Sequence, residues 1–600
     1  MFQKLTDHLF FLEDTCCIYA ICVNDKILLI DCGTHLRSEN FEGLSGKDCS
    51  VERILLTHFH RDQCAAANRF QASGTEIFIP FVERRFLEET DLLKASYDTY
   101  DNYTSYYPGR GMLTDIHSNG YAYDYESIMW CGIRFYVVPL PGHTFGSVGY
   151  QFEIDGKRVL ACGDLMSSPG KVQQYFWSQW SYMSFQGHVN HLESLQTVAN
   201  LELDLILPGH GKPFIPTPAA FTELQEPMEE LYELFHGHAF QYYRPEFRQL
   251  TSHVYEVVNS VARTYIVQDE SGHALLIDCG YTSNAPISAN PHRFIDHLTP
   301  YLKTELGVEV VEWFLPSHYH DDHLAGYPAL KAQYDTKLAS SPELKDILES
   351  PKNYDMPCLM PQGIQVDQVI KRGQAFHWRG IDFYMEQHPG QTLYHHLVWF
   401  SVDDRKFLCI GDNISGVSFH ENRDYIHSFI PKNRTPVSSY SDMPKQILDH
   451  APDFILTGHG GAVPFEQTKI RRWKAWMERW QTLFTQTIDQ PHPNIGMDPH
   501  WIEFYPYKVR ITPGETLIFK VIITNYQVKT QIYQLHFRSI EGVNLWPEKM
   551  KVTVPSNEKR VCQIQAKFPE KFETHSLPIV VDVIWNGKRL GEIAEAIAYW

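Results

Sequence analysis

Thr57-His58-Phe59-His60-Arg61-Asp62-Gln63 follows the apolar run Ile54-Leu55-Leu56, and a second version, Ser317-His318-Tyr319-His320-Asp321-Asp322-His323, lies farther along the same chain. Two histidines one residue apart, with an aspartate two positions on, have a spacing that can converge on metal. In an extended segment leaving a strand, alternate side chains project the same way, so both imidazoles of each pair face one point. Other landmarks recur in the same order and at nearly constant separation. Leu28-Leu29-Ile30-Asp31-Cys32-Gly33 returns letter for letter as Leu275-Leu276-Ile277-Asp278-Cys279-Gly280. Pro141-Gly142-His143-Thr144 returns as Pro389-Gly390-Gln391-Thr392, and Cys162-Gly163-Asp164 as Ile410-Gly411-Asp412. Pro208-Gly209-His210-Gly211 returns as Thr457-Gly458-His459-Gly460. The chain therefore contains one domain twice, each copy roughly 240 residues and too long for a solenoid unit.

The order strand-Asp-x-Gly, His-x-His-x-Asp-(His), Pro-Gly-His-Thr, Gly-Asp, Gly-His-Gly resembles the metallo-β-lactamase-fold hydrolases, over residues 1–490 as two copies. The resemblance implies an α/β (α+β) chain of two tandem αββα sandwiches, each with metals at one edge between two sheets. In the first copy it implies a three-imidazole site of His58, His60 and His143, an open catalytic arrangement rather than a closed structural one. Asp62, Asp164 and His210 would hold a second ion, with Asp164 bridging. Gln63 stands where the family usually has histidine, and a neutral amide oxygen is a poorer ligand, so this second site is expected to be weak or empty. The second copy departs in the opposite place. His318, His320, Asp322, His323, Asp412 and His459 are present, but Gln391 occupies the position of His143. Nearby His388, His395 and His396 are candidates to replace the missing imidazole, and the sequence leaves the choice open. Asp31 and Asp278 are expected to orient a ligand histidine or its loop by hydrogen bond rather than to bind metal.

The chemistry that follows is hydrolysis. Zinc, one or two ions per copy, is the expected cofactor; iron or manganese would accept the same mixed nitrogen and oxygen donors. A bound zinc ion lowers the pKa of water from about 15.7 to about 7, so no side-chain nucleophile is needed. Asp62 or Asp322 would orient the attacking water and carry its proton to the leaving group. No Gly-x-Ser-x-Gly elbow is apparent. The expected substrate is a small molecule with an ester, thioester, lactone or phosphodiester-type bond. The alternatives are a nuclease resembling the long tRNase Z proteins, a glyoxalase II-like thioesterase or lactonase, and a non-catalytic metal-binding scaffold with degenerate sites. Two aromatic tracts are candidate pocket linings: Tyr97, Tyr100, Tyr103, Tyr106 and Tyr107, and Tyr175-Phe176-Trp177 with Trp180. Arg61 and Arg110 are candidates to meet an anionic substrate.

Composition bounds the rest. A chain of 600 residues, 43% hydrophobic and 21% charged, is long enough for three domains with good cores. The expected division is 1–236, 237–490 and 491–600. A helical tract from Pro218 to Leu234 closes the first copy, with Pro227 expected to split or restart it. A helix around Lys469–Thr487 closes the second, placing Trp473, Trp476 and Trp480 on one face for core packing. Past the Pro-rich stretch Asp489–Pro493, strand-like runs at 517–523, 551–554, 561–566 and 578–583 predict an all-β, immunoglobulin-like sandwich. The net charge of −20, without clustered Lys and Arg, argues against a nucleic-acid partner. No apolar run reaches membrane-span length, and Met1–His8 does not read as a signal segment, so the expectation is a cytoplasmic protein without a membrane partner. The twelve cysteines are scattered, several within apolar strands (Cys22, Cys32, Cys162, Cys279, Cys409), and read as buried thiols rather than a disulfide framework. The oligomeric state is open, a homodimer among the options.

Overall fold

The computed structural model describes residues 1–41, 44, 50–91, 110–175, 178, 186–282, 295–418, 424–428, 430–488, 490–540, 542–571 and 576–600. One compact unit contains Met1–Arg244, and a second begins at Pro245 and runs to Trp600.

The first unit is built from two facing sheets. Seven strands from Gln3–Lys4 to Gly120–Ala122 lie side by side in chain order. The early pairs are antiparallel, and the later ones, from Lys26–Ile30 onward, are parallel. The opposing sheet orders its strands Leu205–Pro208, Lys157–Gly163, Val148–Ile154, Ile133–Pro139 and Ser127–Trp130. In Lys26–Ile30 the two-residue alternation sends Leu28 and Ile30 into the inter-sheet core with Val137, Tyr150 and Leu207. Ile27 and Leu29 point the other way, into a second core with Ala67 and Phe70 of the short helix Ala67–Gln71. The back of the second sheet is covered by the helices Gln186–Ala199 and Pro218–His236, through Leu192, Leu195, Phe221, Leu224 and Met228. Four layers result, helix–sheet–sheet–helix, because both faces of each sheet are apolar and both must be covered.

The second unit repeats the plan. Seven strands from Phe247–Gln249 to Gln368–Val369 form one sheet in chain order, and six strands from Phe376–Trp378 to Ala462–Pro464 form the other. Their shared core includes Val254, Leu275, Ile277, Phe383, Val398 and Leu456. The closing helix runs Gln467–Thr487; Trp473 is buried in the core, with Trp476 and Trp480 partly buried against it. The described cysteines carry no disulfide, and the five in apolar strand contexts are all buried.

One expectation fails. The helix Pro218–His236 passes through Pro227 without a break. It is held at both ends, by Thr217, whose side chain accepts from Ala220 N, and by Gly237 at φ 75°. Phe221 and Leu224 before the proline and Met228 after it are buried against the sheet. That packing outweighs the single backbone hydrogen bond the proline removes.

Within the second unit the C-terminal strands form a two-sheet sandwich. Ile502–Tyr505, Thr516–Thr524, Lys559–Lys567 and Asn544–Trp546 face Lys508–Arg510, Lys588–Tyr599, Ser576–Trp585, Gln531–Ser539 and Lys549–Val554. Its core has Trp501, Phe519, Tyr533, Val581 and Trp585. A buried cation ties it to the second αββα body. Arg434 donates from Nε to Asp498 Oδ1 at 3.0 Å and from Nη1 to Glu503 Oε2 at 2.7 Å, and Tyr526 Oη donates to Asp498 Oδ2 at 2.6 Å. Removing one partner of such a pair leaves a buried charge uncompensated. Arg434→Met is therefore expected to destabilise the second unit by about 3–5 kcal/mol, read as a shift of its transition in denaturant unfolding.

Candidate metal centre

Both candidate sites are placed by one device at the ends of parallel strands. Asp31, at positive φ just after Lys26–Ile30, accepts from Thr57 N at 2.9 Å and from Thr57 Oγ1 at 2.8 Å. Thr57 Oγ1 lies 3.0 Å from His58 Nδ1, which leaves Nε2 aimed inward. The second copy uses the same chain of contacts. Ser317 donates from N and Oγ to Asp278 at 2.8 and 2.7 Å, and its Oγ lies 2.9 Å from His318 Nδ1. Each aspartate is thus hydrogen-bonded to the residue that precedes the first histidine of its pair.

In the first copy, His58, His60 and His143 gather ligand nitrogens within 4.8 Å of one another, all buried. His60 Nδ1 and His143 Nε2 are 3.0 Å apart, and Asp164 Oδ2 is 3.2 Å from His143 Nε2. Burial lowers the His58 pKa to about 3 and holds His60 well below its usual range, so both imidazoles are neutral and offer lone pairs. His58 Nε2 is buried with no hydrogen-bond partner. A buried nitrogen without a partner is costly in a protein interior, and a divalent ion satisfies it. The residues fit a metal.

The remaining predicted ligands of this copy stand beside that group. His210 Nδ1 is 2.9 Å from Asp164 Oδ1, and its Nε2 is 3.4 Å from Asp62 Oδ2. Gln63 Nε2 points at Asp164 Oδ1 at 3.3 Å. Gly209 is required here: a Cβ on it would lie 2.3 Å from Asp164 Oδ1.

In the second copy the donors form two groups, His318 with His320 and Asp412, and Asp322 with His323 and His459. Asp412 serves both, its Oδ1 3.2 Å from His323 Nε2 and 3.1 Å from His459 Nε2. The Nε2 atoms of His318, His320 and His323 are buried without hydrogen-bond partners, again fitting a cation. Gln391 does not imitate an imidazole; it donates from Nε2 to Asp412 Oδ2 at 2.7 Å. His388, His395 and His396 join neither group. His388 Nδ1 is 2.5 Å from Gln446 Oε1, and His396 Nε2 is 2.8 Å from Ser341 Oγ. His395 stacks on His318 at 4.3 Å between ring centroids and bonds the Ile410 carbonyl.

Glu83 carries part of the first site and has no motif around it. Fully buried, it accepts from Phe59 N at 2.7 Å and Gly146 N at 3.0 Å and from the Thr144 hydroxyl, clamping the His58–His60 loop to the His143 loop. Burial pushes its carboxyl up to about 7. Only its loop contacts reveal it, and these join residues far apart in the chain. Of the aromatic tracts, Tyr97, Tyr100, Tyr103, Tyr106, Tyr107, Phe176, Trp177 and Trp180 lie outside the described residues. Tyr175 is described, and its hydroxyl meets His188.

The metallo-β-lactamase superfamily profile matches residues 13–210 and again 260–459, and the chain belongs to that superfamily. It carries that superfamily's hydrolase fold twice. A hydroxyacylglutathione hydrolase of Aeromonas salmonicida is 26% identical over 153 residues, which is 26% of this chain and 47% of that protein. The chain thus spans about half the length of the curated relative it matches. Among solved structures, a metallo-β-lactamase with a HARLDQ motif from Cronobacter sakazakii is similar at 14% identity, covering 41% of this chain and 97% of that one, with a TM-score of 0.31. A subclass B3 metallo-β-lactamase from Bradyrhizobium japonicum is similar at 18% identity, 41% and 96% coverage, and a TM-score of 0.31.

The orienting contacts carry a quantitative expectation. Asp31→Ala and Thr57→Val should each weaken zinc binding at the first copy by about 10–100-fold, measured by competition with a chromophoric chelator.

Proposed function

We propose that the protein is a zinc-dependent hydrolase of a small thioester or related carboxylic ester. It would be organised as two metallo-β-lactamase-like domains, 1–236 and 237–490, with a β-sandwich at 491–600, and the first domain would be catalytic. The observation that carries this reading is the convergence of three buried imidazoles, one with a partnerless Nε2, beside an ionised carboxylate. The similarity to a hydroxyacylglutathione hydrolase supports a thioester over a phosphodiester. The acidity of the chain argues against a nucleic-acid phosphodiester, since a polyanion would be repelled.

Zinc held by His58, His60 and His143 would supply Lewis acidity and lower the pKa of a coordinated water to about 7. The chain's own residues supply the rest. Thr57, fixed by Asp31, keeps His58 Nδ1 occupied and its Nε2 turned inward. Although burial opposes it, hydrogen bonding to His210 and the charge of Arg110 lower the Asp62 pKa and keep the carboxylate ionised. Asp62 Oδ1 is buried and has no hydrogen-bond partner, which supports it as the acceptor for the attacking water. The proton it takes passes to the leaving thiolate or alkoxide. Asp322 has the equivalent place in the second copy.

The test is turnover on a panel of an S-acyl glutathione, a lactone, an aryl ester and an aryl phosphodiester. Thioester cleavage should vanish after chelation and return with zinc. His143→Ala should lower it by about 100-fold or more, at or beyond the upper end of what losing a ligand's orienting partner costs. Gln391→Ala should leave it nearly unchanged. Equal loss from both variants would refute the choice of the first copy, and metal binding without turnover on any substrate would make the chain a binding scaffold.

A further inference from the structure

The two copies correspond at one more point, outside the shared motifs. Arg61 N donates to Arg110 O at 2.8 Å, and Asp321 N donates to Cys358 O at 2.9 Å. Arg110 and Cys358 both have positive φ, 62° and 56°. The same backbone position therefore borders the metal loop in each half. It presents a guanidinium in the first and a thiol in the second.

That difference falls on the carboxylate expected to bind a second ion. Arg110 Nη2 donates to Asp62 Oδ2 at 2.6 Å, and its Nη1 is steadied by Gln174 Oε1 at 3.1 Å. The neighbouring groups also present positive ends. The Gln63 amide nitrogen faces Asp164 Oδ1 at 3.3 Å, and His210 lies between Asp164 and Asp62. A divalent ion needs converging lone pairs and is repelled by a fixed cation a few ångströms away in a half-buried site. Here a guanidinium charge already neutralises Asp62.

The second half is arranged the other way round. Asp322 pairs with no Arg or Lys among the described residues; its near neighbours are His459 Nε2 at 3.5 Å and His323 Nε2 at 3.7 Å. His323, at the position of Gln63, is fixed by its Nδ1 contact to Asp278 Oδ2 at 2.9 Å, which turns Nε2 toward Asp412. Its other subsite is the weaker of its two: His318 and His320 keep partnerless Nε2 atoms there, but Gln391 stands where a third imidazole would and donates its amide nitrogen to Asp412.

We infer that each half takes one divalent ion, in opposite subsites: the first on His58, His60 and His143 with Arg110 in place of a second cation, the second on Asp322, His323, His459 and Asp412. This rests on the metal-dependent reading above, and adds to it the number and address of the ions. Arg110 is a positioning residue in this scheme: its guanidinium engages Asp62 Oδ2 and leaves Oδ1 without a hydrogen-bond partner.

The test is zinc content of the full chain, loaded with excess zinc, desalted, and measured by native mass spectrometry and elemental analysis. Two ions per chain are expected. His143→Ala and His323→Ala should each leave one, and their combination none, with circular dichroism confirming that each variant is folded. Arg110→Met with Gln63→His should raise the content to three. Three or four ions in the unmodified chain, two retained by either single-site variant, or an unchanged two in Arg110→Met/Gln63→His would each overturn the assignment. A folded chain that takes up no zinc would overturn the metal-dependent hydrolase itself, so the two failures are distinguishable.

Discussion

The hydrogen-bonded line from Asp31 through Thr57 to His58, and its twin from Asp278 through Ser317 to His318, is the contact on which the rest depends. It joins the end of one parallel strand to the loop leaving the next. In both copies it engages Nδ1 of the first histidine, and that decides which ring nitrogen is left for a ligand. Without it, two imidazoles buried at a sheet edge would pay for desolvation and have no fixed direction. With it, the cost of burial becomes a preformed donor set. The apolar strands on either side are what make the line rigid, since both faces of each sheet are packed.

Duplication let the two sites drift apart on one scaffold. The backbone of the metal loop, the positive-φ aspartate and the close-approach glycines, Gly209 and Gly458, are common to both. A Cβ on Gly458 would lie 1.9 Å from Asp412 Oδ1, so neither glycine has an alternative. The donors differ. In the first copy the imidazoles cluster on one side and the acidic side is met by Arg110; in the second, Asp412 is shared between two groups. Such exchange is tolerated because ligands are side chains on a frame that the core, not the metal loop, holds in place.

The C-terminal sandwich has its own core and is attached to the second αββα body through polar contacts around a buried arginine. Arg434 is surrounded by Asp498, Glu503 and the His500 carbonyl. A buried charge of this kind is weak evidence for stability gained. Its geometric effect is that displacing the sandwich from this arrangement would leave the guanidinium or the carboxylates unpaired.

Much of this was legible in the sequence. The repeated motifs announced two copies of one superfamily fold, and the His-x-His-x-Asp loops, with His143, Asp164, His210, Asp412 and His459, marked the residues that gather. Short-range spacing determines those features: alternation along a strand and the order of loops along a chain survive without knowledge of packing. The helix through Pro227 was not legible, because burial of Phe221, Leu224 and Met228 decides it and burial is a property of the folded whole. Nor were Glu83 and the partner of Asp62. Arg110 stood in the sequence as a candidate for a substrate anion, and only the tertiary structure set its guanidinium 2.6 Å from Asp62. The sequence determined which groups the chain owns and on which loops; folding decided which of them are neutralised by a neighbour. That depends on distances of a few ångströms between segments that no local pattern relates.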